Sequence, residues 1–166
     1  VSLIWGMGFV VAKGAMEHFP PILLMALRFS ITCLALIPFL GPVGANFPRL
    51  LLMSVVGASL QYSLTFTGVS NLGAGLSALV VQLEVPFLVL LGAVLLDERP
   101  GLRKWIGIII AFCGVGIIAS QESFSGSILP ILLVVGGAFT WAFGQVLVRG
   151  IRDMSGLSIT AWTAVL

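Results

Sequence analysis

Three charged side chains fall inside stretches that are otherwise apolar over about a helix length: Lys13, Arg28 and Glu84. Glu84 stands about 10 residues into a run that begins near residue 74. At about 1.5 Å per helical residue this places it about 15 Å deep, close to the middle of a bilayer. A carboxylate at that depth is costly unless something pairs with it, and ionisable groups so placed mark ligand or proton pathways by default. The chemistry expected of Glu84 is to hold an ammonium group of a solute or to exchange a proton, and the alternative is a structural hydrogen bond to another helix. By the same rise Lys13 and Arg28 lie roughly 6 and 10 Å below the outer boundary, where they would form a cationic mouth for a carboxylate. Lys13 also stands four residues before Glu17 and can pair with it or snorkel to the interface. Arg28 has no acid three or four residues away, so its need for a partner is greater.

Around these charges, Gln61, Tyr62 and Gln82 can hydrogen-bond a small polar solute or tie helices together. Trp5 and Trp141 offer apolar walls or packing surface. The expected solute-binding set is Glu84, Gln82, Arg28, Lys13, Trp5, Gln61 and Tyr62. Pro86 removes the hydrogen bond that would reach the Gln82 carbonyl, which predicts a bend and a freed carbonyl beside Gln82 and Glu84. Gly136, Thr140 and Gly144, and likewise Gly107 and Ala111, predict close helix contacts. Asp97-Glu98 is expected to cap the helix that follows. His18 reads as an interfacial residue, because it has no HExxH or Cys partner. Cys33 and Cys113 lack CxxC spacing, and no phosphate loop, dinucleotide fingerprint or GxSxG is present, so no metal, cofactor or ATP site is expected.

The elements that must hold these residues follow from composition. Of the 166 residues, 59% are hydrophobic and only 8% charged, against about 25% charged in a soluble domain. That leaves too little polar surface to face water, so the solvent is lipid and the partner is a bilayer. Net charge is +2, with no basic run longer than Arg103-Lys104, which argues against nucleic acid. Long unbroken apolar runs predict helices, at about 1–17, 21–40, 50–71, 74–96, 102–120 and 128–150, with another beginning near 157. Apolar sequence begins at Val1 and continues to Leu166, so a piece of a longer chain is expected on both sides.

Loops after even-numbered spans hold Arg49, then Arg99, Arg103 and Lys104, then Arg152 with Arg149 at the helix end, whereas loops after odd-numbered spans hold no base. This asymmetry predicts a cytoplasmic N-terminal side. Trp5-Gly6-Met7-Gly8-Phe9-Val10-Val11-Ala12-Lys13-Gly14 matches Trp141-Ala142-Phe143-Gly144-Gln145-Val146-Leu147-Val148-Arg149-Gly150 in the Trp, in Gly at +3, Val at +5, a base at +8 and Gly at +9. A duplication at this offset gives a unit of five spans. An odd number inverts the second copy, as in transporters that expose one site to either side in turn.

The sequence at this point resembles a known family. Trp5-Gly6-x-x-Phe9-Val10-x-x-Lys13, Pro20-Pro21 followed by Leu27-Arg28-Phe29, the run from Gly75 to Gln82, and Glu98-Arg99 leading into Trp105-Ile106-Gly107 are similar to the EamA family of the drug/metabolite transporter superfamily. Within it, the similarity is to bacterial exporters of amino acids and their metabolites, of the O-acetylserine and cysteine type. Those exporters carry Gln-x-Gln where this chain has Gln82-Leu83-Glu84. The resemblance implies ten helices in two inverted five-helix repeats around a central cavity, with both termini cytoplasmic.

The fold class expected is thus an all-α, polytopic transmembrane helix bundle. Residues 1–120 form one five-helix repeat, 121–127 a loop between repeats, and 128–166 the start of the inverted second repeat. The expected function is secondary transport in a bacterial inner membrane, most simply export of amino acids or related small metabolites by alternating access, with proton coupling resting on Glu84. Two other roles fit the same residues: an intramembrane enzyme using Glu84, for which only Arg28, Gln61 and Gln82 offer a second group, and a membrane assembly subunit.

Overall fold

In the computed structural model, residues 7, 11, 14, 15, 17–121, 128–151 and 153–166 are described. The expected first span, with Trp5 and Lys13, lies almost wholly outside the described residues, as does the loop 122–127. The elements are helices α1 (Pro21–Leu36), α2 (Phe47–Leu52), a π-helical segment π1 (Met53–Leu60), α3 (Gln61–Ser70), α4 (Ala74–Val81), α5 (Glu84–Leu95), α6 (Leu102–Gln121), α7 (Leu129–Arg149) and α8 (Gly156–Val165). Proline sits in the first turn of α1, α2 and α7, where its missing N–H has no helical partner to lose. Ser155 caps α8, its Oγ accepting the Ser158 N–H at 3.2 Å.

Four stretches are long and apolar enough to cross a membrane: Ile22–Phe39, Gly44–Ser70, Gly75–Leu95 and Leu129–Arg149. Each matches an expected span, and α6 fills the one expected at 102–120. Two of them are not plain α-helices. The span from Gly44 to Ser70 widens over π1, whose buried face is Ser54, Gly57 and Ala58. These small side chains let the wider turn lie close to α7. A Cβ built on Gly57 would stand 2.7 Å from the Gly144 Cα.

The span expected as one helix at 74–96 is broken at Gln82-Leu83. The Gln82 and Leu83 N–H groups reach carbonyls three residues back, Leu79 and Val80, both at 3.1 Å. This corrects the expectation of a free Gln82 carbonyl. Pro86 has no N–H to offer it, but the chain tightens by one residue and the Val85 N–H donates to it at 3.2 Å.

The hub is α7, which packs against α2, π1, α3, α4 and α5. Its residues Ile131, Val134 and Ala138 form the main core with Val69, Leu72, Leu76, Val80, Val81 and Leu83. A second cluster of Leu50, Ile151 and Ile159 closes one end of the bundle. At that end the three basic loops meet. Arg49 Nη1 donates to the Gly150 carbonyl at 2.8 Å, Arg149 Nη1 reaches Glu98 Oε1 at 2.7 Å, and Trp162 Nε1 donates to the Gly41 carbonyl at 2.9 Å. Glu98 is therefore an ion-pair partner of α7 rather than the cap of α6, which begins later, at Leu102. The close contact expected through Gly107 is not made among the described residues, where a Cβ there would meet nothing within 4 Å.

Candidate functional site

Glu84 lies in the first turn of α5 and is buried, with 6% of its surface exposed. The elements that hold it are clear from its neighbours. Leu83 packs into the main core with Ala138 of α7, and the Phe87 ring meets Phe139 of α7 and Phe112 of α6 edge to face, at 5.5 and 5.3 Å between centroids. Among the described residues Glu84 has neither a hydrogen bond nor an ion pair, since the ion pair found there is Glu98–Arg149.

Gln82 points elsewhere. It is exposed and lines an open apolar pocket of about 220 Å³ with Leu79, Leu83, Ile110, Ala111, Gly114 and Val115, between α4 and α6. Residues two apart on a helix fall on opposite faces, so the geometry that buries Glu84 turns Gln82 outward.

Gln61 opens α3 at its junction with π1 and is 4% exposed. Its Nε2 donates to Thr65 Oγ1 at 3.1 Å, while its Oε1 is buried without a partner among the described residues. The pair faces α7 at Gly137. A Cβ there would collide with Thr65 Oγ1 and would come within 3.2 Å of the Gln61 carbonyl oxygen. On α7, Gly137 lies against Thr65 and the Gln61 backbone carbonyl, and Phe139 meets Phe87; two residues apart, these contacts fall on opposite faces of the helix.

Tyr62, next to Gln61 in sequence, turns about 100° around the helix toward α1. The Arg28 guanidinium lies over its ring, 5.2 Å from the centroid. The same ring meets Phe29 edge to face at 5.2 Å and stacks on Phe66 at 5.9 Å. Among the described residues, the partner that Arg28 finds is therefore an aromatic face rather than a carboxylate.

The structure accordingly brings Arg28 to Tyr62, sets Gln61 with Thr65 against Gly137 of α7, and turns Gln82 toward the pocket between α4 and α6. Trp5 and Lys13 lie outside the described residues. Sequence reasoning missed Thr65 and Gly137. The available signal was the polar pair Gln61 and Thr65 at i, i+4 spacing within an apolar span.

Residues 1–120 match the profile of the EamA-like transporter family. The chain is 29% identical, over its whole length, to a protein named probable amino-acid metabolite efflux pump in Escherichia coli K12, and 30% identical to one of the same name in Salmonella typhimurium LT2, covering 58% of each. It is also 29% identical, over 87% of its length, to the uncharacterized inner membrane transporter YedA of Escherichia coli K12, covering 49% of it. The chain thus spans a little over half the length of the efflux-pump relatives. No solved structure matches it.

Proposed function

This chain belongs to the EamA-like transporter family, and we propose that it works in an exporter of amino acids or related small metabolites that operates by alternating access. Residues 1–120 act as the first repeat, 121–127 as the loop between repeats and 128–166 as the opening of the inverted second repeat. The observation that carries the reading is the placement of Glu84: a buried acid with no partner among the described residues, at the break of a membrane-length span, against α7. A discontinuous helix beside a central helix is the arrangement from which transporters of this class build their sites. The name of the two efflux-pump relatives supports the solute class.

In this reading Glu84 receives the solute's ammonium group and Arg28, steadied by Tyr62, its carboxylate. Gln61 adds an acceptor, and Lys13, Trp5 and Gln82 complete the solute path. The two repeats rock about α7, exposing the site to one side and then the other, and exchange of a proton at Glu84 couples the step to a gradient. The end where Arg49, Arg99, Arg103, Lys104 and Arg149 gather faces the cytoplasm of a bacterial cell, with the protein in the inner membrane.

The test is export from intact cells carrying the full-length protein. Those cells should resist and expel a subset of a panel of amino acids, and the Glu84→Gln variant, expressed to the same level, should do neither. Equal sensitivity and equal internal pools in cells with the wild type, the variant and no transporter would refute the proposal.

A further inference from the structure

The apolar pocket of about 220 Å³ between α4 and α6 has Gln82 as its one polar side chain, and its α6 wall is Ile110, Ala111, Gly114 and Val115. At about 100° per residue, Ile110, Gly114 and Ala111 share one stripe of that helix with Gly107 and Arg103, and Lys104 flanks the stripe on the side of Ala111. A Cβ on Gly107 or Gly114 would meet nothing within 4 Å among the described residues, so the stripe is an open channel there. The far side of α6 faces the bundle, with Ile108 buried and Phe112 packed on Phe87. Arg103 and Lys104 are exposed, and neither joins the ion pair found among the described residues, Glu98–Arg149. Arg99 stands in the loop before them. Of the two acids in that loop Glu98 is taken by Arg149, which leaves these three cations against Asp97 alone.

The spacing along α6 matches one leaflet of a bilayer. The pocket residues lie 7 to 12 positions beyond Arg103, or about 10–18 Å at about 1.5 Å per residue. A leaflet is about 15 Å of hydrocarbon beneath a headgroup layer of about 5–7 Å. Trp105, 42% exposed, marks the headgroup level, so the cations stand at that level and the pocket at the depth of an acyl chain. We propose that α4 and α6 hold one anionic phospholipid, its phosphate at Arg103 and Lys104 with Arg99 beside them, and one acyl chain running over Gly107 into the pocket. A polar solute in the pocket would find a single amide. A free phosphate would meet the cations and leave the pocket empty, and a neutral helix on the same stripe would cover the pocket and leave the cations unmatched. The pocket borders Gln82 and Leu83, where the third span breaks, so the bound chain braces that break from the lipid side. The inference goes beyond the transport reading and depends neither on the solute nor on Glu84.

The test uses the full-length protein in phosphatidylcholine liposomes containing phosphatidylglycerol with a photoreactive diazirine midway along one acyl chain, beside a second preparation with the same diazirine on phosphatidylcholine. After irradiation the phosphatidylglycerol label should concentrate on the peptides holding residues 79–83 and 110–115, several-fold above the phosphatidylcholine label. With Arg103→Gln and Lys104→Gln together the two labels should become equal there. Native mass spectrometry in detergent should then show a dissociation constant for phosphatidylglycerol about 30-fold higher, at about fivefold for each cation lost. Gly114→Leu fills the pocket without touching a cation, and should remove the label from 110–115 while the protein melts no lower than wild type. Equal labelling of wild type by the two lipids overturns the inference, as does a preference that survives the loss of both cations or a label on 110–115 that survives Gly114→Leu. Absence of label from these peptides also overturns it, the result expected if another part of the full-length chain or a second copy covers the stripe. None of these outcomes bears on the export test of Glu84.

Discussion

Gly57 in π1 and Gly144 in α7 meet backbone to backbone, so that a methyl group on either would stand 2.7 Å from the Cα of the other. This contact sets the distance between the widened span and the hub helix, and through them the level at which Gln61 meets Gly137. Small residues at such crossings are what allow membrane helices to gain van der Waals contact without a hydrophobic driving force.

Substituting either partner of that crossing should therefore cost packing. Gly57→Ala and Gly144→Ala are each expected to destabilise by about 1–3 kcal/mol, as overfilled contacts do. Thermal unfolding of the full-length protein in detergent measures this, with Gly107→Ala as the comparison. Among the described residues a Cβ at Gly107 meets nothing within 4 Å, so that variant should melt with the wild type.

The four membrane-length spans were legible because an apolar run of about 20 residues has few alternatives in lipid. The break in the third of them was half legible: Pro86 announced it, but the chain's answer, a three-residue hydrogen bond from Val85 to the Gln82 carbonyl, depends on backbone geometry that spacing does not carry. The π-helical stretch was not legible at all, since it requires Gly57 to find Gly144 on another helix. Glu98 and Arg149 pair across 51 residues, a long-range contact that the local signal of an acid before a helix concealed. Glu84 and Arg28 stood out by depth alone, whereas the partner of Arg28, the Tyr62 ring, came from the packing of α1 on α3.

The ion pair between Glu98 and Arg149 should contribute little to stability, because the two side chains are 45% and 43% exposed. Glu98→Gln or Arg149→Gln is expected to change unfolding by about 0–1 kcal/mol. Its value lies in joining the loop after α5 to the end of α7. In a background with Cys33 and Cys113 replaced by alanine, the pair Glu98→Cys and Arg149→Cys should cross-link and arrest transport until a reductant is added. Full transport by the cross-linked protein would show that this end need not open.

Pro86→Ala supplies an N–H that can take the Gln82 carbonyl from Val85 and favours a continuous helix through the break. Stability should hold or rise while transport falls, because a straightened helix changes the direction in which Glu84 points. Proteoliposome transport alongside thermal unfolding separates the two effects, and a stabilised variant with wild-type transport would contradict the role given to the break.

At Arg28, charge and shape can be separated. Arg28→Lys keeps the cation but loses the planar face on Tyr62, and Arg28→Gln loses both. The expected order of KM for a carboxylate-bearing solute is wild type lowest, then Arg28→Lys, then Arg28→Gln, with carboxamide analogues indifferent to all three. Equal KM for wild type and Arg28→Gln would remove Arg28 from the site.

The most direct test of the central claim, that Glu84 is the working group of a transporter, is exchange across liposomes holding the full-length protein under an imposed proton gradient. With the wild type, movement of a free amino acid should follow the gradient and stop when a protonophore collapses it. With Glu84→Gln the same gradient should move nothing, although the variant folds and inserts to the same extent. Gradient-dependent transport by Glu84→Gln at the wild-type rate would contradict the account.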